Sequence, residues 1–255
     1  RRAMADIVDR LETVTRDFPQ AAFSGAGALT AMLTPACGVG RVLHLDASAA
    51  RIAGLPLAAS CEEEASALAS ASLDLGVSLL TLHASNDLVG ALAQWRAALK
   101  PDGLFVAALF GEETLRELRG AFYAAEVELR GGASPRFAPF ASVRDLGAAL
   151  QRAGFALPVA DVDQAIVQYK EPARALIDLR GMGETGLLAD RGRPLTRRII
   201  ARAVEIFAES GAQARFDIVY LTGWAPHESQ PRALSPGSAK ASLAAAVRGG
   251  MPPGL

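Results

Sequence analysis

The chain has 255 residues, 51% of them hydrophobic and 21% charged, and a formal net charge of −1 at pH 7. That balance is ordinary for a globular protein, and the length allows one large domain or a domain with an appendage. It excludes a nucleic-acid binder working through bulk positive charge, and no apolar run nears the about 18 residues of a membrane-spanning helix.

In chain order, Met4 to Phe18 predicts an amphipathic helix, with Ile7, Leu11, Val14 and Phe18 on one stripe and Pro19 as its stop. The residues around it are mixed in charge and lack a signal-peptide core. An initial Arg in place of Met implies that a few residues precede it. Ala21 to Phe23 predicts a short strand running into Ser24-Gly25-Ala26-Gly27 and then a helix. Glycines there let backbone N–H groups approach a ligand at a helix start, and a tight turn without a ligand uses them equally well. Arg41 to Asp46 predicts a second strand ending in an acid. Some twenty residues after a glycine turn, that carboxylate suits a ribose-hydroxyl acceptor or a helix N-cap. Pro56 to Ala59 is a short third strand leading to Cys61-Glu62-Glu63-Glu64.

The apolar run Leu75 to Leu82 predicts a fourth strand, ending in His83-Ala84-Ser85-Asn86-Asp87. A helix carrying Leu88, Leu92, Trp95 and Leu99 follows, then a Lys100-Pro101-Asp102-Gly103 turn and a fifth strand, Leu104 to Phe110. Strand, crossover helix and strand make neighbouring parallel strands, whose carboxyl ends are where ligands bind. Beyond them come a helix over Glu112 to Glu128, a Gly/Pro-rich loop from Gly131 to Phe140, a helix over Ser142 to Ala153 and strand structure from Phe155 to Tyr169. Helices fill Pro172 to Ser210, and Phe216 to Trp224 is the last strand. The fold class is therefore α/β with a doubly wound sheet. Its segments are a core over 1–171, helices over 172–210, which the resemblance given below implies to be a cap, the last strand with the following element over 211–230, and a flexible tail over 231–255. Cys37 and Cys61 are too few for a disulfide framework or a zinc site, which fits a reducing cytoplasm; the location expected is a bacterial cytoplasm. His44, His83 and His227 are too scattered to define a metal site, and none is expected.

Several separated stretches carry a resemblance: Leu82 to Leu88, Leu99 to Gly103, Gly131 to Pro135, Met182 to Thr185, and Gly223-Trp224-Ala225-Pro226-His227-Glu228-Ser229-Gln230. Together they resemble class I S-adenosylmethionine-dependent methyltransferases. The branch is that of mitochondrial complex I assembly factor 5 and, more distantly, of the malonyl-carrier-protein methyltransferase of biotin synthesis. The resemblance implies a seven-strand Rossmann-like sheet with its last strand antiparallel and a cap inserted between strands six and seven. It implies S-adenosyl-L-methionine as cofactor, held by Ser24, Gly25 and Gly27, by Asp46 at the ribose, by Glu62 near the adenine, and by Ser78 and Leu79 beside the methyl group. Here no acid precedes the glycine turn, the usual third glycine is missing, and Ala84 replaces an aromatic.

Methyl transfer needs alignment and, for a protonated nucleophile, a base. His83 is the candidate base, with a structural hydrogen-bonding role as its alternative. Asn86, Trp224 and His227 are placed on the substrate side, although Trp224 also suits packing of the cap on the sheet. Arg197, Arg198 and Arg202 suit a solvated helix face. The expected activity is methyl transfer to an unidentified acceptor. The alternative is a complex I assembly factor acting on a respiratory subunit, either hydroxylating an arginine or serving as a non-catalytic chaperone with a decayed cofactor pocket.

Overall fold

Strand β4, Leu73–Leu79, is buried at all of its positions, as an apolar segment covered on both faces must be. In the computed structural model, which describes residues 1–190 and 192–231, it lies at the middle of a seven-strand sheet. The other strands are β1 (Phe18–Ser24), β2 (Val39–Asp46), β3 (Ala58–Ser60), β5 (Leu99–Phe110), β6 (Ala156–Gln168) and β7 (Gln213–Trp224). Their order is β3-β2-β1-β4-β5-β7-β6. Pairing is parallel from β3 to β5, and β7 alone runs against its two neighbours. The expected fold, mostly parallel and with the last strand antiparallel, is the one found.

Helices α1 (Arg2–Glu12), α2 (Ala49–Ile52), α3 (Leu88–Ala98), α4 (Arg116–Arg130), α5 (Val143–Arg152), α6 (Arg174–Met182) and α7 (Arg197–Glu209) surround the sheet. Met4, Ile7 and Leu11 of α1 pack with Phe23, Val77 and Tyr220 on one face. On the other, Leu92 and Trp95 of α3 and Leu146 and Leu150 of α5 pack with Phe105 and Phe155. A third cluster joins α4, α6 and α7 to Phe110 and Phe216. The N-caps follow local chemistry: Asp87 accepts from Gly90 N at 2.8 Å, and Ser142 accepts from Asp145 N at 3.1 Å.

Some boundaries differ from those the sequence predicts. Helix α1 stops at Glu12, and Phe18 with Pro19 belongs to β1, because the sheet captures Phe18: its N–H donates to Gly38 O at 2.7 Å. Strand β4 ends at Leu79, where Leu80 turns to φ +54°. The Lys100–Gly103 turn is an irregularity inside β5, with Asp102 at φ +62° and its carboxylate on Arg16 at 2.5 Å. Residues 156–168 form one strand with a register shift near its start. The tail over 231–255 lies, past its first residue, outside the described residues.

Candidate functional site

The order reverses between β1 and β4, and such a switch point leaves a crevice at the strand tips. At the β1 tip the chain turns through Ser24-Gly25. Gly25 has φ +72°, and a Cβ there would lie 2.4 Å from Leu79 O and 2.6 Å from Thr81 Cγ2. Only glycine permits that approach. Gly27, at φ +50°, opens a six-residue 3-10 turn in place of the expected helix.

Asp46 ends β2, 5% exposed. Its Oδ1 accepts from Ser48 N at 2.9 Å, which holds the carboxylate at the start of α2. Its Oδ2 is buried without a hydrogen-bond donor. Arg51 Nε lies 3.3 Å from it, close enough to pair in charge but not aligned to bond. Asp46 and the glycine turn are therefore neighbours, as the spacing suggested.

The acids after β3 are arranged differently from expectation. Glu62 is exposed at the rim, and Glu63 turns inward in its place. Glu63 Oε1 accepts from the hydroxyls of Ser24 and of Thr81, the latter at 2.5 Å, and Oε2 accepts from Trp95 Nε1 at 3.0 Å. Ser78, fully buried, places Oγ 2.8 Å from Thr81 Oγ1 and 3.4 Å from the same carboxylate oxygen. Leu79 contributes only its carbonyl, since its side chain packs into the cluster beneath α1. Beside Glu63 the remaining space is about 10 Å3, enough for about one water. Burial pushes the Cys61 thiol up from its ordinary pKa, and the charges of Glu63, Glu62 and Asp46 add to the shift.

A much larger cavity, about 460 Å3, opens beyond the end of β5. Phe110, Phe122, Phe137, Phe140 and Phe216 form its walls, and Glu184 supplies a carboxylate. His83 lies behind this wall, its ring 4.8 Å from that of Phe110 and 5.9 Å from that of Phe140. His83 Nε2 is 3.1 Å from both oxygens of Glu184, while Nδ1 is buried with no partner.

The structure places Trp224 and His227 at the end of the sheet away from the cavity. Strand β7 is antiparallel, so its carboxyl end lies at the beginnings of its neighbours: Trp224 pairs with Leu104 and Ala156, whereas Phe110 at the cavity pairs with Ile218. Trp224 packs on the α1-side cluster. His227 is exposed at the same end, where Gln230 Nε2 donates to Asp102 Oδ1 and Ala225 O, each at 2.9 Å. Asn86 is exposed on the turn into α3, and its N–H donates to Glu64. Spacing missed Glu63, Thr81, Trp95 Nε1 and Glu184. The only signal for the first was three consecutive acids, and Trp95 already fitted a helix stripe.

Among the described residues no group of three His, Cys, Asp or Glu side chains could hold a metal ion, and no helix is long and apolar enough to cross a membrane. For a nucleoside with an amino-acid tail the polar groups fit: an acid with a buried, unbonded oxygen, a glycine turn, and hydroxyls at the strand tips. The Glu63 side chain stands in that space.

A family model described as a methyltransferase domain matches residues 23–107. The chain is 36% identical to "Arginine-hydroxylase NDUFAF5, mitochondrial" of Danio rerio, over 93% of this chain and 78% of that protein. It spans only 43% of the relative of the same name from Dictyostelium discoideum, at 38% identity over 71% of this chain. A malonyl-[acyl-carrier protein] O-methyltransferase from Laribacter hongkongensis is 35% identical over 67% of this chain and 57% of its own length. Among solved structures, the YcgJ protein from Bacillus subtilis shares the fold, with a TM-score of 0.58, 16% identity, and coverage of 89% of this chain and 99% of that one. The expectation of a bacterial cytoplasmic location is corrected by these relatives, since the NDUFAF5 proteins are described as mitochondrial.

Proposed function

The chain belongs to the NDUFAF5 family of methyltransferase-fold proteins, and from that premise we propose that it binds S-adenosyl-L-methionine across the tips of β1, β2 and β4 and passes a methyl group to an acceptor in the 460 Å3 cavity. The observation that carries this reading is the Asp46 carboxylate, buried beside the glycine turn with Oδ2 lacking a hydrogen-bond donor. A buried acceptor of that kind calls for a donor, and ribose hydroxyls supply two. Gly25 and Gly27 let the backbone approach the ligand. When bound, the cofactor supplies an electrophilic methyl group on a sulfonium.

The protein's own part is to exclude water and to hold a proton acceptor. Glu184 lines the cavity and its carboxylate faces Nε2 of His83, whose unpartnered Nδ1 is buried behind the aromatic wall. Residues 172–210 act as a cap: Leu176, Leu179, Glu184, Leu187 and Leu195 all face the cavity. The printed name of the Danio rerio relative, an arginine hydroxylase, supports an arginine side chain as the group received there; the aromatic walls and Glu184 suit a guanidinium, on a lining that Arg136 and Arg180 share. A second reading, an assembly factor without turnover, draws on one observation: Glu63 fills the hollow that the cofactor needs.

Calorimetry with S-adenosylmethionine and S-adenosylhomocysteine separates the two. Binding that weakens by ~1.5–3 kcal/mol in Asp46→Asn, about one to two decades in Kd, supports the enzyme. No heat with either ligand at millimolar concentration supports the assembly role. Mass spectrometry of a coexpressed complex I subunit then reads an added methylene against an added oxygen.

A further inference from the structure

The β3–β4 connection is fastened to α3 at several points. Glu64 Oε1 accepts from the N–H groups of Asn86 and Asp87, Gln94 Nε2 donates to Glu64 O at 2.8 Å, and Ser66 N donates to Gln94 Oε1 at 2.9 Å. So anchored, the loop directs Glu63 between the tips of β1 and β4. Every donor to its carboxylate is neutral: the hydroxyls of Ser24, Ser78 and Thr81, and the Trp95 indole N–H. Among the described residues no cation pairs with it. These donors come from two strands, the turn after β4 and a helix, they converge on one carboxylate, and about 10 Å3 remains beside it. A second carboxylate cannot enter the same space, because two like charges sharing one set of donors repel and compete for the same hydrogen bonds.

We propose that Ser24, Ser78, Thr81 and Trp95 form a carboxylate seat, occupied in the free protein by the chain's own Glu63, which the carboxylate of an incoming ligand must displace. This rests on the reading above that a nucleoside with an amino-acid tail lies across the strand tips. The loop over 61–72 is then a plug. Its withdrawal opens the hollow, and the same hydroxyls and indole N–H that held Glu63 take the ligand's carboxylate.

The test compares the full-length wild type with Glu63→Ala, and with Glu63→Gln as a variant that keeps the volume. By calorimetry, Glu63→Ala binds S-adenosylmethionine and S-adenosylhomocysteine about tenfold or more tighter than wild type, and Glu63→Gln shifts in the same direction by less. In Glu63→Ala, decarboxylated S-adenosylmethionine binds about tenfold more weakly than the intact cofactor. Without ligand, amide hydrogen exchange across 61–72 is faster in Glu63→Ala than in wild type. Unchanged or weaker cofactor binding in both variants overturns the plug, as does unchanged exchange in the loop. Equal affinity for the decarboxylated analogue overturns the carboxylate seat. If neither wild type nor variant binds any of these nucleosides, the cofactor reading itself fails and the seat falls with it, an outcome distinct from binding that is indifferent to Glu63.

Discussion

Gly25 shows how one position fixes the crevice. Its φ of +72° disfavours any L side chain, and a Cβ would meet Leu79 O and Thr81 Cγ2 well inside contact distance. Gly25→Ala is expected to lose ~1–3 kcal/mol, read as a lower urea midpoint, because both the backbone strain and the clash must be relieved. The places of Gly25 at a turn and of Asp46 at a strand end were legible in the sequence, since both are local signals. Which of Glu62, Glu63 and Glu64 turns inward was not. Three identical side chains in a row have the same local pattern, and the anchors that orient the loop, Gln94 and the N–H groups of Asn86 and Asp87, lie more than twenty residues further on.

At the scale of elements, the Gly131–Phe140 loop is ordered by one buried acid on α4. Glu126, 1% exposed, accepts from Ser134 N and Arg136 Nε at 3.1 Å each, from Arg136 Nη2 at 2.5 Å, and from Arg130 Nη1 at 3.3 Å. Glu126→Gln removes the buried negative charge that the Arg130 and Arg136 guanidinium groups face. It is expected to cost about 3 kcal/mol and to hasten proteolysis between 131 and 140. The hydrogen bond from Arg136 holds the Glu126 carboxyl below its ordinary pKa against the opposing effect of burial. Its folded pKa being below the unfolded one, this carboxylate's contribution is complete above about pH 4.5 and is lost as pH falls through the folded value. Urea midpoints measured down the acid range should therefore fall less steeply in Glu126→Gln than in wild type. Strand direction is the other lesson at this scale. The tryptophan and histidine after β7 look like a site motif in one dimension, yet the antiparallel run of β7 carries Trp224 and His227 to the end of the sheet away from the cavity.

For the whole molecule, His44 adds a second pH dependence. It is 4% exposed in β2, its Nδ1 lacks a partner, and burial lowers its pKa. The unfolded chain takes up that proton first, so stability is complete above about pH 6.5 and declines as pH falls toward the folded value. Replacing it by a residue that does not titrate, as in His44→Gln, should flatten the stability curve between neutral and mildly acid pH, whatever the offset at pH 8. By itself the sequence determined the alternation of strands and helices, the buried pair β4 and β5, the glycine turn and the acid after β2, because periodicity and turn chemistry are local. Only the tertiary structure decided that Glu63 holds the hollow, that Glu184 reaches His83 across 101 positions, and that the last strand's end faces away from the cavity. Those outcomes depend on how distant segments pack, and side-chain direction at a loop or a strand end is set by its neighbours in space and not by its neighbours in the chain.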